Sequence, residues 1–188
     1  MKISFSQICR DYLALRGESP DLLPLLGDGE ESAVLTLRDE LRVRIPSAAI
    51  KATLEACPLS LDELREVVAT PLPEAGGVLV VSMPDDYLKL YSLRMADWKE
   101  SVRSVEPPGT LRYELGANAP EWMVCADRPM VCEQRNAEGI RLRIFGSRSE
   151  APPGELLYVP IPDFDDGDSL VISASAYRLM LKCLLAPE

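Results

Sequence analysis

Apolar positions near the start of the chain recur at helical spacing. Phe5, Ile8, Cys9, Tyr12 and Leu13 lie three and four residues apart, which predicts a helix over 3–16, with Ser4 or Ser6 to cap it and Gly17 to end it. A loop through Ser19 and Pro20 follows, with a short apolar patch at Leu22, Leu23, Leu25 and Leu26. The acidic segment 27–31 then reads as a turn between helices, since its spacing does not match a calcium loop. From Ser32 to about Cys57 a second helical region carries Leu41, Ile45, Ala48, Ala49, Ala52 and Ala56 on one stripe, interrupted or kinked at Pro46. So many alanines let another helix approach closely, in a tight core or at an interface between subunits. Ser60 and Glu63 form a capping box for a short predicted helix across 61–68, which Pro71 and Pro73 terminate.

Past Pro73 the period shortens to two. Val78 to Val81 follow Gly76-Gly77 and predict a strand leading into the strongest pattern of the chain, Met83 to Val102. There Pro84 removes a backbone donor, Asp85 and Asp86 offer turn hydrogen bonds, and a strand begins at Tyr87 and Leu88. Strict alternation places Leu88 and Leu90 on one face and Tyr91, Leu93 and Met95 on the other, so both faces are at least half covered. Lys99 to Val105 alternates again, Pro107-Pro108-Gly109 turns the chain, and 110–121 reads as a polar loop with at most one helical turn. Further strands are predicted at Trp122–Cys125, Met130–Gln134, Ile140–Phe145 and Leu156–Val159, with 136–139 as a hairpin connection. The acidic loop 163–168 precedes a last helix from Leu170 to about Leu185, with Asp168 or Ser169 as its cap. That helix is apolar over most of its circumference and calls for burial in a bundle or against a neighbouring subunit.

These elements define an α+β chain: a single domain over 1–188 with one core, a helical part over 1–70, a β-rich insertion over 76–160 and a returning C-terminal helix over 168–186. Composition then narrows the chemistry. Thirty acidic against twenty basic residues give a formal charge of −10, which argues against binding to DNA or RNA backbones and to anionic membranes. The first ten residues lack the apolar run of a signal peptide, and no stretch is long and apolar enough to span a bilayer, so a cytosolic location is expected. Five scattered cysteines without a Cys-x-x-Cys pair fit small buried hydrophobes in a reducing compartment.

There is no histidine, which removes the commonest general base and metal ligand. Phosphate-binding glycine motifs and a nucleophile elbow are missing too, and the adjacent carboxylates Asp85–Asp86 and Asp165–Asp166 do not make an acid/base pair by themselves. Trp98, Trp122 and the tyrosines fit a core or an aromatic binding surface equally well. No catalytic residue, cofactor or metal site is therefore expected, and the residues alone point to a part of an assembly.

Three segments together resemble a family of tailed-phage structural proteins from phages and prophages of gut Bacteroides-type bacteria, likened to head-to-tail adaptors. The first runs from Arg44-Ile45-Pro46 to Ala56-Cys57-Pro58. The second is Met83-Pro84-Asp85-Asp86-Tyr87-Leu88-Lys89-Leu90 with Arg94-Met95-Ala96-Asp97-Trp98. The third comprises Arg128-Pro129-Met130-Val131-Cys132 and Leu157-Tyr158-Val159-Pro160. Glu100-Ser101-Val102 departs from the usual Arg-Pro-Val after the tryptophan, and 109–120 is shortened.

The resemblance implies a helical adaptor-like core with the β-rich region inserted, and Ile45, Pro46, Pro84, Asp85, Asp86, Tyr87, Leu88, Leu90 and Trp98 as structural motif residues. It further implies a non-enzymatic head-to-tail connector that forms a homo-oligomeric ring next to the portal. Its partners would be portal and tail proteins, and it would pass from the bacterial cytoplasm into the virion. The competing reading is a β-sheet module that binds a glycan or peptide, which needs a concave aromatic surface.

Overall fold

In the computed structural model the residues described are 1–18, 28–58, 63–118, 124–165 and 169–186. The first elements are β1 (Lys2–Ser4), α1 (Phe5–Leu15), α2 (Asp28–Glu55), β2 (Arg65–Glu66), β3 (Leu72–Glu74), β4 (Val78–Ser82) and β5 (Tyr87–Arg94). Then come α3 (Leu111–Asn118), β6 (Met130–Asn136), β7 (Gly139–Phe145), β8 (Glu155–Pro160), β9 (Asp163–Asp165), β10 (Ser169–Val171) and α4 (Ala174–Leu185). The fold class is α+β, and every sheet is antiparallel. The chain expected as one domain with one core divides into two compact units, one from 1–63 with 161–188 and the other from 64–160.

The first unit joins both ends of the chain. Ser4 caps α1 by accepting from the Gln7 amide, and Gly17, at φ +76°, takes the left-handed turn that ends it. α2 runs through Pro46 without a break, and its first residues include Asp28 to Glu31, which were expected to form a turn. The predicted stripe is its buried face: Leu41, Ile45, Ala48, Ala49, Ala52 and Ala56 meet Tyr177, Met180, Leu181 and Leu184 of α4 in one cluster. Arg44 reaches across to donate to the Leu184 carbonyl at 3.0 Å, which satisfies an acceptor left open at the C-terminal end of α4.

A three-stranded sheet in the order β1-β10-β9 completes this unit. It corrects two expectations. Residues 163–165 and 169–171 are strands and not an acidic loop and a helix start, and α4 begins at Ala174 with Ser173 as its cap in place of Ser169; Asp168 lies outside the described residues. The apolar run Leu170-Val171-Ile172 looked helical because it adjoins the helix, yet its residues alternate: Leu170 and Ile172 are buried and Val171 is exposed. Without that run α4 is amphipathic, with Arg178, Lys182 and Leu185 on the outside.

The second unit is built from two sheets, β2-β8-β5 and β3-β4-β7-β6, with a hydrophobic cluster shared by their residues. Leu79, Ile144 and Val131 sit side by side across β4, β7 and β6, while Leu90, Leu93, Leu156 and Tyr158 come from the other sheet. The opposite face of the four-stranded sheet carries a smaller cluster of Val78, Met130, Cys132 and Phe145, covered by Tyr113 and Val124.

Four local expectations fail in this unit. Residues 61–68 were expected to be helical, but Arg65–Glu66 pairs with Leu157–Tyr158, so the backbone donors go to a neighbouring strand; residues 59–62 lie outside the described part. Segment 110–121 holds the two-turn helix α3, which Thr110 caps by accepting from the Tyr113 amide at 3.2 Å. In the stretch from Lys99 to Val105 a single bridge, Val102 with Leu93, stands where an alternating strand was expected. Cys125 forms one bridge to Arg128 inside a turn, not a strand with Trp122, which lies outside the described residues. Of the cysteines expected to be buried, Cys9 and Cys132 are, Cys125 and Cys183 are half-buried, and Cys57 is exposed.

Candidate functional site

The strongest sequence pattern, Met83 to Trp98, forms the centre of the second unit, but its strand faces differently from the expectation. Between Tyr87 and Lys89 and again between Leu90 and Ser92 the pairing of β5 with β8 shifts register. Each irregularity breaks the alternation, so Tyr87, Leu90 and Leu93, three residues apart, enter the same cluster as Met95 and Trp98. Leu88 is also buried but is not in that cluster, and Tyr91 is half-buried.

Pro84 and the turn Asp85-Asp86 deliver the chain into this strand, with the Tyr87 amide donating to the Pro84 carbonyl at 3.0 Å. Asp85 is exposed to solvent. Asp86 instead is engaged twice: the Tyr158 hydroxyl of β8 donates to it at 2.8 Å, and Arg65 of β2 forms an ion pair with it. One carboxylate thus ties the turn before β5 to both other strands of its sheet.

Tyr87 makes the second tie. Its side chain is fully buried, and its hydroxyl donates to Glu133 of β6 at 2.9 Å, which links the two sheets of the unit. Arg135 pairs with the same carboxylate at 2.5 Å and donates to the Leu88 carbonyl at 3.4 Å. The Tyr87 and Tyr158 rings lie 5.8 Å apart between centroids in a tilted arrangement. Burial, and then the Glu133 carboxylate, push the Tyr87 phenol well above its ordinary range. Burial and the bond to Asp86 raise Tyr158 in the same way. Both phenols therefore stay protonated at neutral pH and act as donors, not as bases.

Trp98 and its neighbour Asp97 make the third tie. The buried Trp98 ring donates through Nε1 to the Gly146 carbonyl at 3.2 Å, while Asp97 accepts from the Ser147 hydroxyl at 2.7 Å and from the Arg148 amide at 2.9 Å. Gly146 holds φ +83°, and a β-carbon there would stand 2.7 Å from the Cys125 carbonyl oxygen, so no other residue fits that corner. Nearby, the hydroxyl of Ser92, buried in β5, has no hydrogen-bond partner among the described residues.

The nine sequence-predicted residues therefore do not make one site. Pro84, Asp86, Tyr87, Leu90 and Trp98 converge on the second unit's framework, Leu88 joins it only through its backbone carbonyl, which accepts from Arg135, Asp85 lies beside it exposed to solvent, and Ile45 and Pro46 belong to α2 of the first unit. Glu133, Arg65 and Ser147 were not expected. They lie between 21 and 50 residues from their partners, and no local spacing announces them.

Beside this framework lies a cleft of about 660 Å³, lined by the segment 99–106, the start of α3 and residues 124–131. Its lining holds four cationic side chains and no aromatic one among the described residues. Also among the described residues, no group of three or more metal-ligating side chains gathers, and no helix is long and apolar enough to cross a membrane. No family model matches the chain, and neither does any curated protein or solved structure.

Proposed function

We propose that the chain is a non-enzymatic structural subunit of a tailed-phage particle, a head-to-tail connector that forms a ring next to the portal. The observation that carries this reading is what the Met83–Trp98 segment does. It bears the densest resemblance to the phage family, and its polar side chains bond to the protein's own framework: Asp86 to Tyr158 and Arg65, Tyr87 to Glu133, Asp97 to Ser147. A motif spent on fixing strands suits a protein whose work is geometric. The acidic charge supports the same reading, because subunits that line a DNA conduit repel the passing duplex instead of holding it. Subunit contacts would form in the bacterial cytoplasm, and the ring would then enter the virion.

The test is an affinity pull-down of the tagged chain from its native host after prophage induction, with the bound proteins identified by mass spectrometry. Recovery of portal and tail proteins in fixed ratio supports the connector; recovery of a host enzyme or surface glycan in their place sinks it. The second reading, a binding module in the β-rich unit, is favoured by one observation, the open cleft of about 660 Å³, which is of a size that takes small ligands. Its lining speaks more for a charged peptide than for a glycan, since sugar rings stack on aromatic faces.

A further inference from the structure

Two stretches of backbone wall the cleft beside the framework, and each is pinned by bonds of its own. In the first, Val102 exchanges both backbone hydrogen bonds with Leu93 at 2.8 Å, and the Glu106 amide donates to the Val131 carbonyl at 2.8 Å. Val102 and Val105 pack against the core, so the chain between these ties carries Arg103 and Ser104 on fixed backbone, with Ser101 just before it. In the second, the Arg128 amide donates to the Cys125 carbonyl at 2.8 Å, in a turn whose Cys125 lies against the Gly146 corner. The cleft therefore presents one arginine from each of two separately held segments.

Two of its four cations are already committed, since Lys99 pairs with Asp127 at 2.6 Å and Arg112 with Glu106 at 2.7 Å. Arg103 and Arg128 are not: both are exposed, and neither guanidinium has an ion pair or hydrogen bond among the described residues. The hydroxyls of Ser101 and Ser104 are equally without a partner there. Glu100 is the remaining carboxylate, so four cations against three carboxylates leave one net positive charge. In a chain of charge −10 that is a local reversal of sign.

The donors decide the ligand class. One guanidinium fork fills both oxygens of a carboxylate, which leaves a second fork and two hydroxyls without work. A phosphate monoester carries three terminal oxygens and takes two forks and the hydroxyls together. A longer polyanion fits less well, because Glu100 and the two ion pairs confine the positive surface to one short patch. A nucleobase would find no aromatic face to stack on among the described residues. Leu111, 74 % exposed at the start of α3, and the half-buried Val124 offer an aliphatic surface in its place.

We propose that this cleft binds a small aliphatic phosphate monoester, with its phosphate on Arg103, Arg128, Ser101 and Ser104 and its carbon chain against Leu111 and Val124. The volume of about 660 Å³ lies in the range of small-ligand sites. The proposal stands independently of the connector reading.

The test titrates n-butyl phosphate into the full-length chain by isothermal calorimetry, with pentanoate and inorganic phosphate as comparison ligands. Butyl phosphate should bind about tenfold or more tightly than pentanoate, and Arg103→Gln and Arg128→Gln should each weaken it about tenfold or more. Ser101→Ala with Ser104→Ala should weaken butyl phosphate and inorganic phosphate alike, by about threefold to tenfold. Leu111→Ser should weaken butyl phosphate and leave inorganic phosphate unchanged, which separates the contact with the carbon chain from the contact with the phosphate. Far-UV circular dichroism and melting of each variant should match the wild type. Arg103→Lys and Arg128→Lys, which keep the charge and lose the fork, take over if a Gln variant does not fold. No binding at millimolar ligand, equal affinity for pentanoate or for inorganic phosphate, or indifference to both arginine variants would each overturn the proposal. A phosphoserine peptide that binds more tightly than butyl phosphate, and loses that binding in the arginine variants, would place the phosphate on a partner protein and overturn the small-molecule assignment.

Discussion

In the first unit the residues at the centre are small and the helices come close. Ala49, Ala52 and Ala176 are fully buried where α2 meets α4, and the stability rests on backbone proximity and dispersion contacts. In the second unit the centre is occupied by Tyr87, Trp98 and Tyr158, whose polar tips each reach a carboxylate or a carbonyl. The first unit also bears most of the net charge, with sixteen acidic against nine basic residues, while the second has fourteen against eleven. The difference teaches that two packing strategies coexist in one chain. One tolerates no added volume, and the other tolerates no lost hydrogen-bonding tip.

The largest effect expected from breaking this contrast comes from Trp98→Ala. It removes a buried ring together with the Gly146 bond and should cost about 3–5 kcal/mol, a sizeable share of the stability of a domain. Hydrogen exchange should then accelerate first in β5, β7 and β8. Unchanged exchange and melting would show that Trp98 is not central to the second unit.

Ala52→Leu probes the other strategy. The added side chain has no room between α2 and α4, so a loss of about 1–3 kcal/mol is expected in chemical denaturation, with the faster exchange confined to α1, α2 and α4. A neutral result would mean that the helix pair yields, and the contrast with the second unit would dissolve.

The smallest effect concerns alkali. Tyr87 and Tyr158 in the second unit, and Tyr177 bonded to Asp11 at 2.6 Å in the first, all hold their phenol protons above the ordinary range, chiefly through burial. Their stabilising contribution is fully present below the unfolded tyrosine pKa of about 10. It is lost as pH rises from there towards the folded values, because the unfolded chain releases protons that the folded chain retains. By pH 11 the loss due to Tyr87 is on the order of 1 kcal/mol. A melt series from pH 8 to about pH 11 in Tyr87→Phe should fall less steeply than in the wild type. Equal slopes would remove Tyr87 from this account.

Much of the architecture was legible in the chain. The helical spacing from Phe5 to Leu13 and the alanine stripe of α2 correspond to buried faces, because each stripe has one wet and one dry side. The β-rich stretch was equally plain from Val78 onward. Elements set by partners were not. β2 has two residues and exists because β8 lies alongside it, and β9 and β10 exist because residues 2–4 return to pair with β10. The register shifts in β5 are equally invisible, since nothing in Leu88-Lys89-Leu90-Tyr91 announces that alternation will break. Of the framework, Asp86, Tyr87 and Trp98 were singled out from the sequence, but the partners of the latter two, Glu133 in the other sheet and Gly146 just past β7, are far away along the chain and have no local signal.

The first unit is assembled from both sides of the second, and this sets an order in time. A ribosome adds about 5–20 residues per second, so roughly 5–20 s pass between the synthesis of α2 and the emergence of β10 and α4, its partners. During that interval the second unit is completed, since β2 and β8, where the chain enters and leaves it, pair with each other. The alanine face of α2 must wait uncovered meanwhile. Nascent chains should therefore meet chaperones through α2 until α4 emerges and covers it.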